Sequence, residues 1–324
     1  MNKATKICII VASALSGAGV ILFAIGMLFA GFDFGGIDMQ HFETNFHDVQ
    51  DNFEHILIES DTADINLIAS DDGTVRVECF EEEKVYHEVF VEDETLNIRI
   101  RDHRKWYDHI RLFNFRSPAI TVYLPEGEYG DLTIDSHTGD VGITQAFDFE
   151  EGRIALSTGD VRWNTASVDG VLQIESSTGN IEVKNAPVGE LKLSATTGNI
   201  HAESVRCEGD VEIRTSTGNQ RLIDVTCGEL FSKANTGNGY FEHMIAERHV
   251  TIERSTGDTV LDQCDGAEFH IESGTGNVKG ILLSEKLVFA ESDTGSVNVP
   301  RATQGGICEI ETDTGDIRIE FVTE

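Results

Sequence analysis

Ser157-Thr158-Gly159-Asp160, Ser177-Thr178-Gly179-Asn180, Ser216-Thr217-Gly218-Asn219 and Ser255-Thr256-Gly257-Asp258 are four copies of one phrase. The Thr-Gly pair at its centre occurs ten times, with its glycines at 139, 159, 179, 198, 218, 237, 257, 276, 295 and 315. The spacing is 19 or 20 residues throughout, and a period this constant is the mark of a solenoid. Seven and five residues before each Gly the chain is mostly apolar, as in Leu132/Ile134, Leu172/Ile174, Val250/Ile252 and Cys308/Ile310. Two and four residues after it the pattern often repeats, as in Val141/Ile143, Ile181/Val183 and Ile317/Ile319. Alternation with period two predicts short strands with one buried face. Thr-Gly-Asp/Asn between them predicts a corner, because Gly accepts a positive φ and Asp or Asn tolerates the bend. The coil around Gly237 fits worst, with Ser232 and Gly239 at places expected to be apolar.

The expected fold is therefore all-β: a β-solenoid of about ten coils over residues 131–324. Residues 53–130 contain strand-like runs without the Thr-Gly beat, and are expected to be an irregular β lead-in that caps the first coil. Before them, residues 33–52 read as a polar tether. Residues 7–32 are 26 positions without a charge, preceded by Lys3 and Lys6 and followed by Asp33. As a helix they would reach about 39 Å, enough to cross a bilayer. The run is long for a cleaved signal peptide, so one uncleaved transmembrane helix is expected. The positive-inside rule places residues 1–6 in the cytoplasm and the solenoid outside the cell membrane.

Asp and Glu number 57 against 24 Lys and Arg, a net charge of -33. Such a chain is repelled by phosphate backbones, which argues against a nucleic-acid partner. The eleven histidines are dispersed without His-x-x-x-His or Glu-x-x-His spacing, so neither a metal nor a cofactor is expected. There is no Gly-x-Ser-x-Gly elbow and no phosphate-binding Gly loop, and coils this short leave little room for a catalytic cleft. No enzyme activity and no small-molecule substrate are expected. Asp140, Asp160, Asp258 and Asp316 follow the corner glycines, with Asn in five other coils and Ser296 in one. Stacked carboxylates could share a cation, but turn chemistry accounts for them without one. Cys207 and Cys227, 20 apart, could face each other in adjacent coils, as a disulfide or as buried thiols.

Two surface features are candidate interaction sites. The column four residues before each Gly is expected to point outward, and its last members are Glu253, Glu272, Glu291 and Glu311. Four like charges at coil spacing repel, so solvent, divalent cations or a basic partner must screen them. Residues 99–116 form a basic, aromatic island that includes Arg104, Lys105, Trp106, Arg111, Phe113 and Arg116. Arg with aromatic side chains is the composition of an interaction hot spot, although packing over the first coil would use the same residues.

The four phrases quoted first, with Ile65–Ser70 and Ala119-Ile120-Thr121-Val122-Tyr123-Leu124-Pro125, resemble the bacterial putative-adhesin family, domain of unknown function 4097. The resemblance covers residues 53–324. It implies a membrane-anchored β-solenoid with an exposed, adhesive or structural role at the cell surface, contacting an envelope protein or a glycan. Some members resemble accessory proteins of envelope-stress systems, which is the alternative. The resemblance assigns no catalytic residue.

Overall fold

The computed structural model describes residues 5–6, 9, 12–21, 42–104 and 117–322. Residues 12–21 are helical, and among the described residues no helix is long and apolar enough to cross a membrane. The described part thus does not by itself show the expected transmembrane span, and the rest of the 7–32 run lies outside the described residues. Residues 5–6 and 9 are helical as well, and the regular elements described from Phe42 onward are all β-strands.

Each Thr-Gly coil contributes a strand before its corner and one after it, and both pair in parallel with the same positions of neighbouring coils. Register is uniform, so like side chains form columns along the axis. The column five residues before Gly runs Ile134, Ile154, Ile174, Leu193, Ile213, Ser232, Ile252, Ile271, Ile310 and Ala290. Its Ile and Leu members are at most 1% exposed. Burying each such side chain contributes about 1.5–3 kcal/mol, and stacking is what buries it. A single coil has no second layer of its own.

The corner explains the Thr-Gly-Asx phrase. Gly159 has φ 145°, and a Cβ built there would lie 2.0 Å from the carbonyl oxygen of Gly139 in the next coil. Only glycine meets both demands. The following Asx makes a ladder: Asp140 Oδ1 accepts the Asp160 amide, Asp160 Oδ1 the Asn180 amide, Asn180 Oδ1 the Asn199 amide, and so on to Asp258 and Asn277. Among the described residues this corner is held by backbone and Asx bonds. A second corner, six residues after Gly, carries left-handed Thr165, Asn185, Ser204, Asp224, His243 and Gln263, with φ between 50° and 75°. No glycine announces it in the sequence. The left-handed conformation costs an L-residue roughly 1–2 kcal/mol, which inter-coil bonds such as Thr165 N to Lys184 O offset.

The lead-in is more regular than its sequence suggests. Strands β1 (Phe42–Val49), β2 (His55–Ser60), β3 (Asp64–Ala69), β4 (Val75–Glu82), β5 (Val85–Glu92), β6 (Thr95–Asp102) and β7 (Ala119–Leu124) precede the first Thr-Gly coil. β2 and β3 form a full coil under it. Their corner is Ser60-Asp61-Thr62-Ala63-Asp64, with Ala63 where the others have Gly and Asp64 Oδ1 accepting the Asp140 amide. β6 and β7 stack in parallel on β2 and β3 as a further coil. Beyond them the pairing turns antiparallel: β5 on β6, β4 on β7 and β1 on β4. That switch ends the stack with an edge strand on which Glu43 and Asp48 are exposed.

At the other end the chain order is inverted. Strand 306–314 of the last coil lies between strand 268–275 and strand 286–294, and 317–321 lies between 278–282 and 297–298. The Gly295 coil is therefore outermost, and the C-terminal Gly315 coil is inserted beneath it. The Asx ladder follows this order, from Asn277 to Asp316 to Ser296. Gly305 and Gly306 let the returning chain pass close to its neighbours: a Cβ on either would lie 2.0 Å or 1.8 Å from the carbonyls of Glu285 and Ala267. Ten Thr-Gly coils and two before them give a rod of about 53 Å at 4.8 Å per step.

Candidate functional site

The outward columns occupy one face of the rod. Four residues before Gly, the structure aligns Arg214, Lys233, Glu253, Glu272, Glu311 and Glu291 in that spatial order. The predicted acidic stripe is thus contiguous, with its last two members exchanged by the inverted coils. Glu253, Glu272 and Glu311 line an open groove of about 670 Å3 with Lys233 and Asp313, and Glu291 stands one coil beyond. The stripe is partly neutralised from within. Lys233 Nζ, 2.6 Å from Glu253 Oε2, supplies the countercharge, and His270 Nε2 lies within hydrogen-bond distance of Glu272 Oε1, at 3.0 Å. Towards the middle of the rod the face turns basic and aromatic, with the Arg214 guanidinium 4.6 Å above the Phe231 ring. The Asp140–Asp160 pair has its cation too: Arg162 sits 3.9 Å and 3.8 Å from their Oδ2 atoms.

Of the basic island, Arg104 is described, and Lys105, Trp106, Arg111, Phe113 and Arg116 lie outside the described residues. In sequence the island runs from β6 towards β7, the position at which the other coils turn their corner. Its described cations are paired: Arg99 with Glu59, Arg101 with Glu88, and Arg104 with Asp102 at 2.7 Å. The hydrogen bond to Asp102 raises the Arg104 pKa above its ordinary value.

Two clusters of interior polar side chains stand out among the described residues. Arg254, 3% exposed, enters the core beside the weakest coil. Its Nη2 donates to Gln220 Oε1 and Ser232 Oγ, and Nη1 donates to the Gly237 carbonyl. Gln220 Nε2 in turn donates to Lys233 O at 2.8 Å. A Cβ on Gly239 would lie 2.1 Å from Arg254 Nη2. Ser232 and Gly239 are therefore the partner and the space that this guanidinium needs. Burial holds its pKa down, at about 10.

The other group joins β1, β2, β4 and β5. Glu81, 1% exposed, accepts at Oε2 from the His87 amide (2.7 Å) and is 2.9 Å from His87 Nδ1; at Oε1 it accepts from Asn45 Nδ2 (2.8 Å). His87 Nε2 is 3.3 Å from Ser60 Oγ. Ser60 is 5% exposed and faces inward at its corner, where the Ala63 amide donates to it at 3.4 Å. Ligand atoms of His47, Cys79 and the same Glu81 all lie within 4.8 Å of one another. Burial, with the charges of Glu81 and Glu78, pushes the Cys79 thiol up to about 12. Alternation along β4 puts Cys79 and Glu81 on one face; nothing in the sequence ties His47 to them, because the pairing of β1 with β4 is tertiary.

Cys207 and Cys227 are buried free thiols at the ends of paired strands. Burial pushes them up to about 11 and about 12.

Among solved structures, the chain is similar to a putative adhesin from Bacteroides fragilis, at 17% identity and TM-score 0.44, covering 86% of this chain and 97% of the other. It is similar to a putative adhesin from Parabacteroides distasonis at 14% identity and TM-score 0.46, covering 87% and 98%. A putative lipid binding protein from the same species is similar at 13% identity and TM-score 0.38, covering 87% and 97%. No curated protein matches. The Toastrack DUF4097 pattern matches residues 53–324, and the chain belongs to that family.

Proposed function

We propose that this protein is a non-enzymatic, membrane-anchored rod of the bacterial cell surface that displays an adhesin-like binding face. The observation that carries the reading is the register of the outward columns. Side chains repeat along one face at the strand spacing, about 4.8 Å, and shift from basic and aromatic at Arg214 and Phe231 to acidic at Glu253, Glu272, Glu311 and Glu291. A ladder-bonded face cannot reshape itself around a small molecule, but it presents many weak contacts at once to an extended partner, where avidity accumulates. The charge-free run at residues 7–32 supports anchoring, and the net charge of -33 argues against a nucleic-acid partner. Ser60, His87 and Glu81 have the order of an acyl-transfer triad. The Ser60 hydroxyl, however, is buried and already holds its own corner, which favours a structural role.

The test is crosslinking in intact cells with three full-length chains: wild type, a Gln variant of Glu253, Glu272, Glu291 and Glu311, and an Ala variant of Arg104, Lys105 and Arg111. Envelope glycan or surface protein recovered with wild type and lost with the Gln variant is the expected result. A membrane protein lost only with the Ala variant would favour the envelope-stress accessory reading. Recovery of the chain from the cytoplasm, with no envelope material attached, would overturn both.

A further inference from the structure

The cap of the rod contains donors that the surface reading does not use. His47 Nε2 is buried with no hydrogen-bond partner, although an imidazole nitrogen out of contact with water normally finds one. It faces Cys79, 0% exposed, and Glu81, 1% exposed, and the three ligand atoms lie within 4.8 Å of one another. In β4 Cys79 and Glu81 are two residues apart and share a face, while antiparallel β1 sets Asn45 opposite Cys79 and His47 opposite Val77. Two ligands on one strand and one on its neighbour form a triangle whose relative positions are fixed by ladder bonds.

From this geometry we infer that His47, Cys79 and Glu81 form a three-ligand site for a zinc-class transition-metal ion. One imidazole, one thiolate and one carboxylate form a donor set of the kind zinc takes, at about 2.0–2.3 Å from the ion. Tetrahedral bonds of that length place ligand atoms roughly 3.5 Å apart, so from separations within 4.8 Å each pair closes by no more than about 1.3 Å. The carboxylate has a free position: Oε2 already accepts two bonds from His87, but Oε1 accepts only from Asn45 and keeps a lone pair. Asn45 and His87 thus orient the ligand carboxylate, the part outer groups play around metal centres. The thiol proton leaves to solvent as the metal–sulfur bond forms, and water completes the fourth position. Calcium is disfavoured here, because it wants six or more oxygen ligands. The ion would clamp β1, the edge strand nearest the N-terminal segment, to the body of the cap.

The test uses the full chain in mild detergent, reduced, stripped with a chelator, and titrated with cobalt(II) and then zinc. One equivalent of cobalt should produce a thiolate charge-transfer absorption that zinc abolishes and excess calcium leaves in place. His47→Gln and Cys79→Ser should each remove the band, and Asn45→Ala should weaken binding about 10-fold. Far-UV circular dichroism establishes that each variant is folded. His47 lies on a half-exposed edge strand, so its variant remains informative if Cys79→Ser does not fold. Absence of the band in wild type, or equal metal affinity in wild type and a folded His47→Gln chain, would overturn the site and assign any binding to surface carboxylates.

Discussion

The inverted order of the last two coils can be tested with pairs of cysteines on the acidic column. In the structure Glu272 is directly opposite Glu311, and Glu311 is opposite Glu291. Glu272 is therefore one strand step from Glu311, about 4.8 Å, and two steps from Glu291, about 9.6 Å. Stacking in chain order would exchange those two distances. A disulfide needs Cα atoms about 4.4–6.8 Å apart, so only one step is bridgeable. Glu272→Cys with Glu311→Cys should oxidise under mild conditions, and Glu272→Cys with Glu291→Cys should not. Peptide mass mapping distinguishes the new bridge from the native cysteines, five of which are buried. The correct bridge closes a loop of about 40 residues, and the chain-entropy limit on its stabilisation is about 4 kcal/mol. Thermal unfolding with and without reductant measures how much of that is realised. Efficient bridging of positions 272 and 291, with none between 272 and 311, would refute the insertion.

The Asx ladder predicts an asymmetry between the middle and the end of the stack. Asn219→Ala leaves the Asn238 amide without its acceptor and should cost about 1–2 kcal/mol, whereas Ser296→Ala, on the outermost coil, should stay within about 0.5 kcal/mol; urea denaturation of both variants measures the contrast. Burial opposes ionisation of Asp265, but bonds from Lys286, Ser284 and the Gly266 amide together outweigh it and hold the carboxyl below its ordinary value. Its contribution to stability is therefore present above the unfolded value and lost as pH falls below about 4. Wild type should exceed Asp265→Asn at neutral pH and converge with it in acid, and a gap independent of pH would contradict the assignment.

Much of the repeat was legible because its constraints act within one coil. The Thr-Gly-Asx corner, the inward alternation and the outward Glu column each follow from a few adjacent residues, and the structure keeps all three, with Glu291 and Glu311 exchanged along the column. Some signals were present but easy to pass over. Ser60-Asp61-Thr62-Ala63-Asp64 is a corner with Ala in the glycine position. Ser296 is the one corner without Asp or Asn, and it sits where no further amide needs an acceptor. Ser232 and Gly239 break the apolar pattern of their coil because Ser232 bonds the buried Arg254 and Gly239 leaves it space.

By itself the sequence determined the solenoid, its period, its corner chemistry and the family. Those properties repeat with the chain, and each is set by local backbone demands. Only the tertiary structure decided which coil is outermost, which polar side chains share the interior, and that His47 meets Cys79 and Glu81. Inter-coil bonds join equivalent positions of any two neighbouring coils, so the local pattern is satisfied equally well by several stacking orders. The choice among them rests on contacts between residues far apart in the chain: the close passage at Gly305 and Gly306, and the antiparallel pairing of β1 with β4.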